Sequence, residues 1–485
     1  MPQLLIRYLV NKSFDEGFWS EISTQRSSIS PLLDDLTFKN VRLIPRDDAQ
    51  SRLNIEEIQI TGVNRLSLLK SLVGLEDLSF IAQGEITVRG VVTNGAIGDL
   101  DGAVVDTLYV KNLYLPSDPS SPDDVWSIGA VKVGGLDISW SSDSVVVLES
   151  ISLFNLVGFN LGGLMISGLT ATDGSSFDLD LNHASASDID VETLLTYFNS
   201  DPLVSMVSFL SAFKSLDLSS LSIGLDGQET FHLQRAFFDQ TLSADSAGRR
   251  LWSLKALTVD LAQLFPPQAP LDPAARAALT GLGHKPTADI DLTTESLSEN
   301  ESATSLEVYV HDSVRAEISL QIAGINPLEP INTSQLLLKS TSINLNQGYV
   351  SINSETFGDK FLEGLASLVF EGQDAKIVLK ESLGDFLSTL DDPKEPQALN
   401  REILTAELNR LIDDPKTFTL SWTPMEGYPQ SAITKAGGSI LEVFALLSEG
   451  DSAILAEKYK YDIVKNLNLS LEVNGRAPVA VYLNH

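Results

Sequence analysis

One local pattern constrains this chain more than any other: apolar, any, apolar, two polar or small residues, apolar, any, apolar. It begins with Leu36 and Phe38 followed by Val41 and Leu43, and returns at starting positions 86, 108, 126, 164 and 216. In the copy starting at 126, Val131 and Val133 close one pattern and open the next, with Leu136 and Ile138. Strict alternation keeps residues i and i+2 on one face of a strand, and a one-residue slip sends every later side chain to the other face. A β-bulge or tight bend absorbs the extra residue and leaves both apolar pairs on the same side. The inserted pairs Lys39-Asn40, Lys111-Asn112, Ser167-Gly168 and Ser219-Ser220 are polar or small, as a bend requires. The pattern therefore predicts coiled, sharply twisted antiparallel sheet. Its starting positions are irregularly spaced, which argues against a solenoid of fixed period.

Helical segments interrupt the strands. The spacing of apolar residues predicts helices within 189–213, 355–370, 399–412 and 439–461, the first broken at Asn199-Ser200-Asp201-Pro202. Strands are expected at 288–294, 305–312, 315–323, 336–345, 375–379, 418–422, 467–473 and 479–483. Pro266, Pro267 and Pro270 oppose both helix and central strand and mark a linker. The expected organisation is an N-terminal helical segment over 1–30, a curled β-rich region over 31–265 and a second β-rich region over 271–485.

The length of 485 residues is large enough for about three domains or one elongated body. Against 33 Lys and Arg stand 65 Asp and Glu, a net charge of −32. That excess disfavours nucleic acid and anionic membrane, which need clustered cations. With no cysteine, disulfides, thiolate zinc sites and thiol nucleophiles are excluded. No apolar run reaches the length of a transmembrane helix, and the first ten residues lack the basic head and cleavage site of a signal peptide. A leader or anchor removed from the natural protein and a cytoplasmic protein both remain open on these grounds.

Little in the chain points to catalysis. His183, His232, His284, His311 and His485 share no zinc-motif spacing, and no nucleophile elbow, phosphate loop or dinucleotide fingerprint is present. Asp178 with Asp180, Asp188 with Asp190, and Asp289 with Asp291 place paired carboxylates on one strand face. Half-buried strands turn such residues to solvent; calcium is the alternative, although the Asp-x-Asp-x-Asp-Gly loop is absent. No metal site, cofactor or catalytic residue is assigned, and a hydrolase has the least support.

The stretches Val105-Asp106-Thr107-Leu108-Tyr109-Val110-Lys111-Asn112-Leu113 and Leu164-Met165-Ile166-Ser167-Gly168-Leu169-Thr170 resemble the AsmA-like and YdgA-like bacterial envelope proteins in cadence. So does the passage from Ala278 through Ala288-Asp289-Ile290-Asp291 to Ile325. The resemblance covers about half the chain, and the N-terminal membrane anchor usual in those proteins is missing from it. It implies a periplasmic or cell-envelope protein of a Gram-negative bacterium, with a curled apolar sheet that serves as a lipid groove. The fold class expected is mainly β with helical insertions: an elongated, strongly curled antiparallel sheet forming a groove or taco-like layer capped by amphipathic helices. The groove candidates are Leu108, Val110, Leu113, Leu115, Ile128, Val131, Val133, Leu136, Ile138, Leu164, Ile166, Leu169, Leu218, Leu221 and Ile223. The expected function is non-enzymatic: binding, sheltering or transferring lipid, with an envelope protein as a further partner. The alternative is a structural or adhesive surface β-protein with a closed core and a protein partner, in which the same rows are dry interior.

Overall fold

The computed structural model describes residues 19–30, 35–45, 52–62, 84–94, 102–114, 127–140, 144–192, 212–242, 248–266, 270–298, 301–323, 344–370, 372–388, 399–423 and 468–481. The protein is mainly β, with nineteen strands in antiparallel sheet and few helices among the described residues. It divides into two compact units, 1–232 and 233–485. The division falls inside strand β11 (Gln228–Leu242), whereas the proline-rich stretch proposed as a linker lies further on.

The first unit holds β1 (Trp19–Ile29), β2 (Leu36–Pro45), β3 (Arg52–Thr61), β4 (Glu85–Asn94), β5 (Gly102–Tyr114), β6 (Ser127–Ser139), β7 (Val145–Val157), β8 (Asn160–Thr172), β9 (Phe177–Asp190) and β10 (Ser215–Leu225). Each strand pairs with the next in sequence, antiparallel throughout. Among the described residues no pairing returns β10 to β1, so the ladder stays open. Strand pairing thus does not itself impose the strong curl expected of this sheet. The helix expected over 1–30 is, in its described part, strand β1. Of the helix expected over 189–213, the first two positions still belong to β9, Val191 and Glu192 are helical, and 193–211 lie outside the described residues.

The bends sit where the spacing places them. The second residue of each quoted inserted pair has a left-handed backbone: Asn40 (φ 52), Asn112 (φ 52), Gly168 (φ 60) and Ser220 (φ 52). Asn40, Gly168 and Ser220 fall on one line, completed by Gly90 (φ 59) and Gly135 (φ 60), which therefore marks β2, β4, β6, β8 and β10. On the strands between, the facing positions are Glu56, Asp106, Glu149 and Asn182. Glycine is required at Gly135, where an added Cβ would fall 2.1 Å from Asp106 Oδ2. At Gly168 it would fall 2.3 Å from Glu149 Cγ. A second bend line crosses β5, β7 and β9 at Asn112, Asn155 (φ 54) and Asp188 (φ 47). Two of these face a glycine on the next strand, Gly129 beside Asn112 and Gly162 beside Asn155. The repeat is thus one of two strands in space, joined by connections of very unequal length. A period counted along the chain misses it.

The second unit carries β12 (Gly248–Val259), β13 (Thr287–Ser298), β14 (Glu301–Val310), β15 (Val314–Ala323), β16 (Asn344–Ser354), β17 (Thr417–Trp422), β18 (Ser470–Val473) and β19 (Val479–Ala480), again paired in order. Its helices are α1 (Leu261–Leu264), α2 (Pro273–Leu282), α3 (Phe357–Leu368), α4 (Ala375–Ser388) and α5 (Arg401–Asp413). Helices α3 and α5 match the apolar spacing. The strand expected at 375–379 is instead the start of α4. Ala375, Leu379, Leu383 and Leu387 recur every fourth residue and pack inward, and Asp374 Oδ1 accepts the Lys376 N–H at 2.8 Å. Helices α4 and α5 bring Leu383, Leu387 and Leu404 onto Leu471 and Val473 of β18. A second cluster joins Ala277 of α2 to Leu362 and Leu365 of α3. The helix expected over 439–461 lies outside the described residues.

Candidate functional site

Register turns the separate apolar pairs of the first unit into rows that cross the sheet. One row runs from Phe38 through Ile58, Val88, Leu108, Val133, Ile151, Ile166 and Ala184 to Leu218. Val110, Val131 and Leu164 stand in the row beside it. Beyond the first bend line lies a third row, with Leu136, Leu169 and Leu221 opposite Leu148 and Leu181. Ile138 and Ile223 belong to a fourth, with Val146, Ala171 and Leu179. Leu113 and Ile128 pair in a shorter row past the second bend line. Leu115 lies outside the described residues.

Rows on the two sides of a bend share a face. Val41, Leu43 and Ile55 form one cluster with Phe38, Leu53, Ile58, Val88 and Val91, although the bend separates Phe38 from Val41 and Ile55 from Ile58. Each of the fourteen described candidates is half-buried. Their neighbours Leu148, Leu161, Leu181, Ala184, Ala186 and Ile189 are buried. The five helices α1 to α5 belong to the second unit, and in the first the helical residues Val191 and Glu192 follow β9.

The opposite face of the first unit carries ion pairs beside the exposed side chains of Val104, Val147, Phe154 and Met165. Lys39 and Arg89 both pair with Glu57, at 3.0 and 2.8 Å, and Lys111 pairs with Glu85 at 3.1 Å. The hydrogen bond from Lys39 holds the Glu57 carboxyl below its ordinary range. Cavities open on this face. One of about 420 Å³ is lined by Val147, Thr170, Asp178, Asp180, Ser222 and Glu229 among others. Its neighbour, about 640 Å³, adds Glu149, Asn182 and His232. None of the groove candidates lines either cavity. Ser222 donates to Glu229 at 2.9 Å, and His232 Nδ1 lies 3.7 Å from the same carboxylate. Among the described residues no group of three or more metal-ligating side chains converges.

The other paired aspartates are tied into the sheet. In the second unit Lys255 Nζ lies 2.6 Å from Asp291 and 3.8 Å from Asp289. Asp289 also accepts the N–H of Ala256 (φ 49), the single described bend of β12. Ser253 donates to Asp291 at 2.6 Å. The hydrogen bond to Asp291 raises the Lys255 pKa. Burial raises that of Asp289, but the Ala256 N–H, Lys255 and His311 outweigh it and the net direction is down. His311 stacks on Tyr309, while His284 stands in the turn after α2, its carbonyl accepting the Leu261 N–H. Asp188 is a bend residue paired with Lys214 at 3.2 Å. These carboxylates and histidines meet strand neighbours, and no nucleophile and base are brought together by them.

Reading one strand at a time missed half of the wall. Leu53, Ile55, Ile58 and Ile60 carry the same spacing, as do Val146, Leu148, Ile151 and Leu153. The signal that finds them is that identical spacing. No family model, curated protein or solved structure matches this chain.

Proposed function

We propose that the first unit is a non-enzymatic lipid-handling module of a bacterial envelope, in which the apolar wall forms a shallow curled groove for acyl chains. The observation that supports this is the set of half-buried apolar rows running in register across β2 to β10. Across eight strand spacings the wall spans about 38 Å. Each methylene sheltered there contributes at most about 0.8 kcal/mol, so a chain of ordinary length has enough contact to be held against ordering costs. The resemblance of the strand cadence to AsmA-like proteins supports the compartment, periplasm or cell envelope, where lipid and envelope proteins are the natural partners. Lipid extraction from gently purified protein, followed by uptake of a fluorescent fatty acid, tests the reading. Co-purified lipid and saturable uptake are expected; a repeatedly clean apo protein that takes up no probe removes it.

A second reading is favoured by the cavities on the opposite face. Asp178, Asp180, Glu149 and Glu229 line them, which suits a surface or adhesive protein with a cationic protein partner. Charge reversal at Asp180 and Glu229 separates the two readings: it weakens partner capture and leaves fatty-acid uptake unchanged.

A further inference from the structure

We infer that a cavity over β1 to β4 binds a small zwitterion of the amino-acid kind, with its carboxylate on Arg42 and its ammonium group on Glu56. The site is independent of the lipid reading, because it opens on the face away from the apolar rows. It measures about 650 Å³ and is lined by Ser23, Asn40, Arg42, Asn54, Glu56 and Gly90 among others, a size suited to a small molecule. Register sets Arg42 directly between Ser23 of β1 and Asn54 of β3. Alternation turns Arg42 and Asn54 away from the apolar cluster that holds their neighbours Val41, Leu43, Leu53 and Ile55.

The decisive residue is Arg42. Its Nε is shielded from solvent and makes no hydrogen bond, and among the described residues no carboxylate pairs with it. The nearest acid along the sheet is taken, since Glu57 is shared by Lys39 and Arg89 at 3.0 and 2.8 Å. Arg26, Arg52 and Arg476 are exposed, whereas Arg42 is half-buried. In a chain of net charge −32, a half-buried guanidinium that no acid answers is costly. A carboxylate is the group that fits its planar fork.

Glu56 supplies the opposite charge at the rim. It faces Gly90, where an added Cβ would fall 2.8 Å from Glu56 Cβ and 2.9 Å from Oε2. The glycine thus leaves room for the carboxylate to lie over β4. Glu56 and Arg42 line one cavity without pairing with each other. A simple acid would be repelled by Glu56 and a simple amine by Arg42; a molecule carrying both groups answers each. The Asn40 amide donates to Gln25 Oε1 at 3.0 Å, so the Asn54 amide, opposite Arg42, is the one left for the ligand.

The test is ligand-observed NMR of the full chain with an equimolar mixture of the standard amino acids. Each amino acid that binds is then titrated beside the matching acid without its amine and the matching amine without its carboxylate. Saturable binding of at least one amino acid is expected. Removing the carboxylate should weaken it about tenfold or more, and removing the ammonium group by about fivefold. Arg42→Gln, checked for folding by circular dichroism, should also lose about tenfold or more. Glu56→Lys alters an exposed residue and reads the site even where the first variant fails to fold. It should weaken the amino acid and strengthen the amine-free acid. Absence of saturable binding by any amino acid overturns the inference, as does an amine-free acid held as tightly as its amino acid. A folded Arg42→Gln or Glu56→Lys that binds as the parent does places the ligand elsewhere and overturns it too.

Discussion

In the second unit Leu383, Leu387 and Leu404 lie on Leu471 and Val473, leaving those two strand residues 4% and 1% exposed. In the first unit Leu136 and Leu169 stand in a comparable cross-strand row and are only half-buried. The strands of both units obey the same pairing rules. They differ in their bends and in what lies on their apolar faces. Every second strand of the first ladder from β2 to β10 carries a left-handed residue on one line, and three others carry a second. Among the described residues the strands of the second unit hold one left-handed position, Ala256 in β12, with further register shifts at Ser296/Ser298 and Gln321/Ile322.

The widest difference is expected from truncating one leucine in each unit. Leu387→Ala opens a cavity beneath α4, where the side chain is 1% exposed, and should cost about 3 kcal/mol. Leu136→Ala removes a half-buried side chain and should cost about 1 kcal/mol or less. Peptide-resolved hydrogen exchange under mild denaturant reads each unit separately. Equal losses would make the first wall a sealed core and end the comparison. Next in size is Gly168→Val. It places a β-branched side chain at φ 60, with its Cβ 2.3 Å from Glu149 Cγ. A loss of about 2 kcal/mol is expected in the first unit. Gly163→Ala, whose Cβ meets nothing closer than Phe154 at 3.6 Å, is the control and should stay within about 0.5 kcal/mol.

The bends and one set of rows were legible because their cause is local. An apolar pair, two polar or small residues and another apolar pair can be read within a single strand, and Asn40, Asn112, Gly168 and Ser220 stand where that reading puts them. Register was not legible. The connection between β3 and β4 is long and that between β8 and β9 is short, yet both strand pairs meet in the same frame. Which row partners which therefore depends on contacts far apart in sequence. Ala184 and Ala186 of β9 also blur the apolar signal, though both are buried in the rows. Helix α4 was misjudged for a related reason: 375–379 is too short a window to show the four-residue recurrence that Leu383 and Leu387 complete.

Smaller effects sharpen the comparison at single residues. Ser220 holds φ 52 in β10 where the other strands of that line use Asn or Gly, so Ser220→Gly should relieve strain and gain a few tenths of a kcal/mol, about 0.5. A loss instead would show that the Ser220 side chain holds the bend. The gain should appear in the first unit alone by hydrogen exchange.

The smallest expected change is spectroscopic and belongs to the second unit. Tyr349 donates its hydroxyl to Glu317 across neighbouring strands. That bond, followed by burial, pushes the phenol pKa up to about 12. Because the folded value lies above the ordinary 10, the neutral phenol contributes stability that is fully present below pH 10. It is lost as pH rises through about 12. Absorbance titration should therefore show one tyrosine ionising late, and Tyr349→Phe should remove that step. In Glu317→Gln the residue should ionise closer to 10, since the anion opposing its loss of a proton is gone. A late step that survives Tyr349→Phe would assign it to another tyrosine and leave the cross-strand bond without the effect expected of it.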